Sequence, residues 1–247
     1  MMRSNVESSD IESIMQWFNS GIGDGENGIL VYPNLQTFRE ICTQYLKDEL
    51  VAMGEQKEQA HEEDVDNDYY HDDNKNRLKE QLQKPRIVLI ATFYDTVNAV
   101  KHNLSAVGVN VQSHIDDGSL LIVDAFNGFY PDTGGMKKLV KSLSERATRE
   151  RRMGVSAIVN MGYFFLYGRD GEASNLISYE ASLAPKTEGG NVRGFSCYHV
   201  KNYTNLNDTQ KKQLQTQGRK KLLEVTESDG NLQVQNEQQQ QEVSLYK

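Results

Sequence analysis

The stretch Gly28-Ile-Leu-Val-Tyr32-Pro-Asn-Leu-Gln-Thr-Phe38 decides the fold. Gly28 to Tyr32 is a short apolar run and Pro33-Asn34 ends it. Leu35, Phe38, Ile41, Cys42, Tyr45, Leu46 and Leu50 then recur at helical spacing to about residue 52. A buried strand feeding a helix is the first half of a βαβ unit. In a nucleotide-hydrolysing version the turn reads G-x-x-x-x-G-K-[ST], with glycine amides for the phosphates and a lysine for the β- and γ-oxygens. Tyr32-Pro-Asn-Leu-Gln supplies neither, and the pattern occurs nowhere else in the chain. Hydrolysis of ATP by a phosphate loop is therefore not expected.

Further along, Ile-Val-Leu-Ile within 86–92 is a continuous apolar strand of the kind covered on both faces by helices. Asp95 is placed to cap a helix carrying Val97, Val100, Leu104 and Val107 that stops at Gly108. A short strand over 109–113 follows, then Asp117-Gly118 and a strand over 119–124. The remaining expected elements are a basic helix over 134–152, a strand over 155–161, a helix over 171–183, a strand over 194–200, a helix over 206–217 and a last strand over 220–225. Alternation at this spacing implies right-handed crossovers and an α/β fold of three αβα layers around a mostly parallel sheet.

Ser9-Asp10 followed by Ile11, Ile14, Met15 and Phe18 reads as a capped amphipathic helix, so residues 1–25 are expected to form a helix and a glycine-rich turn ahead of an α/β domain over 26–225. Residues 54–76 are polar and acidic and read as a disordered insertion, or else as a domain boundary; against a boundary, one strand and one helix do not form a stable unit alone. Residues 226–247, with six glutamines, read as a disordered tail.

The net charge of -8 is unevenly placed: -7 falls within 55–76 and -3 within 226–247, which leaves the rest of the chain near +2. Global acidity thus does not argue against an anionic ligand. No run approaches the roughly 18–20 apolar residues of a membrane span, and Met1-Met2-Arg3-Ser4 opens onto polar residues, so a cytoplasmic protein is expected. Cys42 and Cys197 read as reduced core thiols.

Several motifs fail on context. Gly23-Asp-Gly25-Glu-Asn-Gly28 matches G-x-G-x-x-G but precedes a strand where the dinucleotide motif follows one. Asp64, Asp66, Asp68 and Asp72 begin like a calcium loop, yet Tyr69 replaces the glycine and Lys75 the closing glutamate. His61-Glu62 reaches Val65 in place of the second His of a zinc motif. No metal or cofactor is expected. His102 and His114 read as surface or hydrogen-bonded side chains. Cys197 and His199 share a strand face at a pocket-side end, which raises residual nucleophilic chemistry, but no orienting acid or oxyanion hole accompanies them. Lys137, Lys138, Lys141, Arg146, Arg149, Arg151 and Arg152 make a basic helix without any reader module, so sequence-specific nucleic-acid binding is not expected.

Open parallel sheets bind ligands outside the carboxyl ends of their strands. In this chain those ends are aromatic: Tyr32, Phe93, Tyr94, Phe126, Phe129, Tyr130, Tyr163, Phe164, Phe165 and Tyr198, with Asp124, Asn127 and Asn160 among them. Asn160 stands where a metal-orienting Asp would be expected. The rings either line an apolar cleft or close the core at that edge.

Four segments, Gly28-Ile-Leu-Val-Tyr32, Asp117-Gly-Ser-Leu-Leu-Ile-Val-Asp124-Ala, Ser178-Tyr-Glu180-Ala-Ser-Leu183 and Phe195-Ser-Cys-Tyr198, resemble in order and spacing those of the MEDS family, the methanogen/methylotroph sensory domain, itself similar to the KaiC and RecA-like ATPase core. The resemblance covers about residues 26–225. It implies a RecA/KaiC-like sheet without its phosphate loop, used to sense small, hydrocarbon-derived molecules, with a kinase or transcription regulator as signalling partner. Many members carry a His at the start of the first strand, where this chain has Asn27-Gly28. The expectation is a non-catalytic sensory domain whose ligand contacts are Tyr32, Phe93, Tyr94, Asp124, Phe126, Asn127, Asn160, Tyr163, Glu180 and Tyr198. The alternatives are a degenerate KaiC-like module that holds a nucleotide or protein partner without hydrolysis, and a residual enzyme acting through Cys197 and His199.

Overall fold

A computed structural model describes residues 8–23, 25–62, 84–125, 133–166, 176–177, 179–180, 191–216, 221–228 and 231–236. Seven strands form one sheet: β1 (Asn27–Tyr32), β2 (Ile87–Thr92), β3 (Leu120–Asp124), β4 (Val155–Asn160), β5 (Val192–His199), β6 (Lys221–Ser228) and β7 (Asn231–Asn236). Their order is β3-β2-β4-β5-β1-β6-β7, parallel throughout except for β7, which runs antiparallel to β6. Every residue of β1, β2 and β4 is buried, which is why these strands read as unbroken apolar runs.

Alternation along the strands feeds two separate cores. Leu30, Tyr32, Val88, Ile90, Ile158, Phe195 and Cys197 face one layer of helices, namely α1 (Ser8–Gly21), α2 (Leu35–Glu62), α3 (Val97–Ala106) and α4 (Val111–Asp116). Ile29, Val31, Leu89, Ala157, Val159 and Tyr198 face the other, built from α5 (Thr133–Arg149), α6 (Tyr163–Leu166), the helical residues Leu176, Ile177, Tyr179 and Glu180, α7 (Val200–Thr204) and α8 (Asp208–Thr216). The chain is thus the three-layer αβα architecture expected.

The spacing of Ile14 and Phe18 places both on the buried side of α1, where the Phe18 ring lies 4.3 Å from Phe195 and 5.0 Å from Tyr45. The N-terminal helix is therefore part of the same core as the sheet. At the amino ends of the strands, Glu49 of α2 is buried in an ion pair with Arg193 of β5, whose guanidinium also lies 5.7 Å from the Tyr45 ring. Gly154, which opens β4, has φ +136 and lies so near Asn191 that a Cβ there would sit 1.9 Å from its carbonyl oxygen. Only glycine fits that approach.

Four local expectations are corrected. Asp95 does not cap α3: Thr96 does, its side chain accepting from Ala99 N at 3.1 Å, while Asp95 turns back to Arg39. Residues 111–116 are helical, because Asn110 caps them by accepting from Ser113 N at 3.3 Å; the alternation of Val109, Asn110 and Val111 mimicked a strand. Helix α2 continues past 52 to Glu62, into the acidic segment, whose remainder lies outside the described residues. Residues 226–228 and 231–236 lie in β6 and β7, with Leu232 buried beside α1; residues 229–230 and 237–247 lie outside the described residues. The helix expected over 206–217 is α8, opened by a capping box in which Asn207 N donates to Gln210 Oε1 and Gln210 N to Asn207 Oδ1, both at 2.9 Å, and the short α7 precedes it.

Candidate functional site at the carboxyl edge of the sheet

Two residues, Pro33 and Asn34, separate β1 from α2. That leaves no loop to wrap a phosphate chain. Asn34 Oδ1 accepts from Thr37 N at 2.9 Å, so one of the free amides at the start of α2 is satisfied from within the turn. Asn34 Nδ2 is also committed, donating to Glu227 Oε2 on β6 at 2.8 Å. The sequence reading of this turn and the geometry agree.

Tyr32, the last residue of β1, is fully buried and stacks on Phe38 of α2 with centroids 4.5 Å apart. Its hydroxyl accepts from Asn160 Nδ2 at 3.1 Å, and Asn160 Oδ1 accepts from Gly162 N at 2.9 Å. The Asn160 amide thereby ties the ends of β1 and β4 across the intervening β5. Burial pushes the Tyr32 phenol well above its usual value, against the bond from Asn160, so the ring stays neutral. An amide in this position also offers no anionic oxygen to a metal.

Beyond β4, Gly162 carries the Tyr94 ring directly on its backbone: a Cβ at 162 would meet Cε2, Cζ and Oη of Tyr94 at 2.6 Å. Phe93 packs edge-on against Tyr94 at 4.9 Å and against Tyr163 at 6.2 Å, and all three rings are half-buried. These three form the open aromatic part of the edge.

The other expected contacts do not join them in one pocket. Tyr198 and Glu180 lie in the opposite layer from Tyr32, both buried, where Tyr198 Oη donates to Glu180 Oε1 and Ser196 Oγ to Glu180 Oε2 at 2.9 Å. Asp124 ends β3 opposite Thr92 and so stands at the sheet's outer edge. Phe126 and Asn127 lie outside the described residues, as do Phe129 and Tyr130. Side chains alternate faces along each strand, so residues grouped by position at strand ends are divided between two cores.

A small cleft of about 20 Å³ opens between α2, α3 and the end of β2, lined by Phe38, Arg39, Cys42, Ile90, Thr92 and Asp95. It has room for about one water. At it, Arg39 holds Asp95 with both carboxylate oxygens, Nη2 to Oδ1 at 2.6 Å and Nε to each oxygen at 3.0 Å. No local signal pointed to this pair, since the two residues sit 56 positions apart, Arg39 within α2 and Asp95 in the turn before α3.

Cys197 and His199 do share a face, but their environments do not favour nucleophilic chemistry. Burial, then the nearby Glu180 carboxylate, pushes the Cys197 thiol far up, away from the thiolate. His199 caps α7, its Nδ1 accepting from Lys201 N at 3.1 Å, and its ring meets Tyr32 edge-on at 5.6 Å. Among the described residues no three His, Cys, Asp or Glu side chains converge on a common point. The acids of the calcium-like spacing, Asp64, Asp66, Asp68 and Asp72, lie outside them. No described helix is long and apolar enough to cross a membrane.

A KaiC-like protein of the hyperthermophilic archaeon Pyrococcus horikoshii OT3 superposes on this chain with a TM-score of 0.53, over 89% of this chain and 82% of that one, at 8% identity. At that identity the likeness concerns the fold, which is thus a KaiC-like, RecA-type αβα sheet. No family model and no curated protein matches the chain.

Proposed function

We propose that this chain is a non-catalytic signalling module on a KaiC-like scaffold, and that its aromatic carboxyl edge takes a small apolar organic ligand. The observation that carries the first half is the tie between Tyr32 and Asn160: a neutral ring and an amide stand at the strand ends where an ATPase needs a phosphate loop and a carboxylate. The second half is supported by Phe93, Tyr94 and Tyr163, half-buried rings that pack on one another just beyond the ends of β2 and β4, and by the resemblance to the MEDS sensory family. A ligand entering there would displace Tyr94 from Gly162 and reach the ends of β2 and β4 together. A kinase or a transcription regulator is the partner class such a sensor would address.

A thermal-shift screen tests this. Small apolar organics should raise the melting temperature of the wild-type chain and not that of Tyr163→Ala, and ATP should do neither. A shift with ATP that survives in Tyr163→Ala would favour the second reading, a degenerate KaiC-like module holding a nucleotide without hydrolysis, which the fold likeness by itself supports equally well.

A further inference from the structure

One face of α5 is predominantly basic. Helical periodicity sets Met136, Leu143 and Ala147 on its buried side and Lys137, Lys138, Lys141, Glu145 and Arg149 on its exposed side. The acids of this region are taken up locally. Glu145 lies 3.8 Å from Lys141, and Glu150 is shared by Arg152 Nε at 2.6 Å and Arg146 Nε at 3.7 Å. Lys137, Lys138, Arg149 and Arg151 carry their charges without an ion pair among the described residues. Lys84, also exposed, brings a further cation to the same end, because its main chain bridges to Arg152.

The helix closes in a Schellman turn, with Arg151 N donating to Thr148 O at 3.2 Å and Arg152 N to Ala147 O at 2.8 Å. Arg151 occupies the position in that turn which favours glycine. Its φ is 56, and among the described residues no other non-glycine has a positive φ. An arginine strains the turn, yet its side chain is exposed and makes no ion pair that offsets the strain. Strain without a compensating contact inside the chain points to a contact outside it.

We infer that this face of α5, with Arg151 and Lys84 at its end, docks on the phosphate backbone of duplex DNA without reading its sequence. From Lys137 to Arg149 the row runs about 18 Å, at 1.5 Å per residue, which suits a polymer better than a small anion. Ser142 and Thr148 are its only exposed uncharged members, and Met153 is exposed past its end, so the row lacks the apolar anchor on which a protein partner would close. A phosphate polymer needs no such anchor, since release of its condensed counterions supplies the binding. The chain's excess of acid lies elsewhere, within 55–76 and 226–247.

Fluorescence anisotropy of a short labelled duplex of arbitrary sequence, titrated with the full chain over a salt series, tests the inference. Contacts from Lys137, Lys138, Arg149 and Arg151 should give a slope of log affinity against log salt of about −3.6, and a scrambled duplex should bind equally well. Arg151→Gly should lower the slope by about 0.9 while melting at or above the wild-type temperature, because glycine relieves the turn. A Lys137→Gln, Lys138→Gln double variant should lower it by about 1.8 with circular dichroism unchanged. Absence of binding at low salt, or wild-type affinity in Arg151→Gly or in the double variant, would overturn the inference. So would tighter binding of polyglutamate than of the duplex, which would make the partner an acidic protein.

Discussion

Asn160 and Tyr32, 128 positions apart in sequence, are joined by a hydrogen bond of 3.1 Å at the carboxyl edge of the sheet, and both side chains are buried. The same Asn160 amide holds Gly162 N at 2.9 Å, so one side chain sets the ends of β1 and β4 and the turn that follows. Replacing it with Leu would leave a buried hydroxyl and a buried amide without that partner. A loss of about 2–6 kcal/mol is expected, at about 1–3 kcal/mol for each orphaned group, against about 1 kcal/mol for Tyr32→Phe. Urea denaturation of the two variants beside the wild type checks both the size and the order of the effects.

Gly162 makes room for the Tyr94 ring. In Gly162→Ala the new Cβ would fall 2.6 Å from three atoms of that ring, and Tyr94, being a half-buried side chain, should swing outward at a cost of about 1 kcal/mol while the fold persists. Proton NMR of the Tyr94 ring, which loses its stacking on residue 162, reports the movement. The same variant should change affinity for any ligand of the proposed aromatic edge.

The Arg39 and Asp95 pair is bidentate, with the carboxylate mostly enclosed and the guanidinium about a third exposed. Exposed ion pairs couple by roughly 0.2–1 kcal/mol, and the two-point geometry places this one at about 1 kcal/mol. A double-mutant cycle with Arg39→Ala and Asp95→Ala measures the coupling, which should shrink in high salt. Because the two residues belong to α2 and to the turn before α3, loss of the pair should widen the cleft at Thr92.

How much of this was legible follows from where each signal resides. The βα alternation, the parallel sheet and the missing phosphate loop were all readable, because unbroken runs such as Ile87 to Thr92 and the two-residue turn Pro33-Asn34 are local features. Asp95 was misread since a capping residue and an ion-pair partner look alike until the fold brings Arg39 to it. β7 was hidden because only Leu232 and Val234 mark it within a glutamine-rich stretch, and its order comes from pairing with β6 and packing beside α1. The proposed aromatic edge was half legible. Tyr32, Asn160 and Tyr94 do gather at the carboxyl edge, whereas Tyr163 and Tyr198 pack against the other core and Glu180 bonds Tyr198 there, a division that strand-end position alone does not reveal.

His199 gives the fold a pH response of known sign. Burial, then the Lys201 charge, lowers its proton affinity below the ordinary value of 6.5, so the unfolded chain takes up the proton first as the pH falls. The contribution is fully present above that value and is lost as the pH drops through the folded-state value, where a proton on Nδ1 also ends its acceptance from Lys201 N. Urea midpoints should therefore fall between about pH 7.5 and 5.5, a window bracketing imidazole titration. His199→Asn, which keeps a cap acceptor, should remove that part of the slope.

The central claim is that the strand ends of a KaiC-like sheet here hold a neutral aromatic and amide lock in place of nucleotide chemistry. Isothermal titration of the full chain with ATP and magnesium, followed by phosphate-release measurement on the same sample, tests it most directly. No heat of binding and no phosphate release above the buffer rate are expected. Saturable binding that requires magnesium, with phosphate release abolished in Asn160→Leu, would contradict the account.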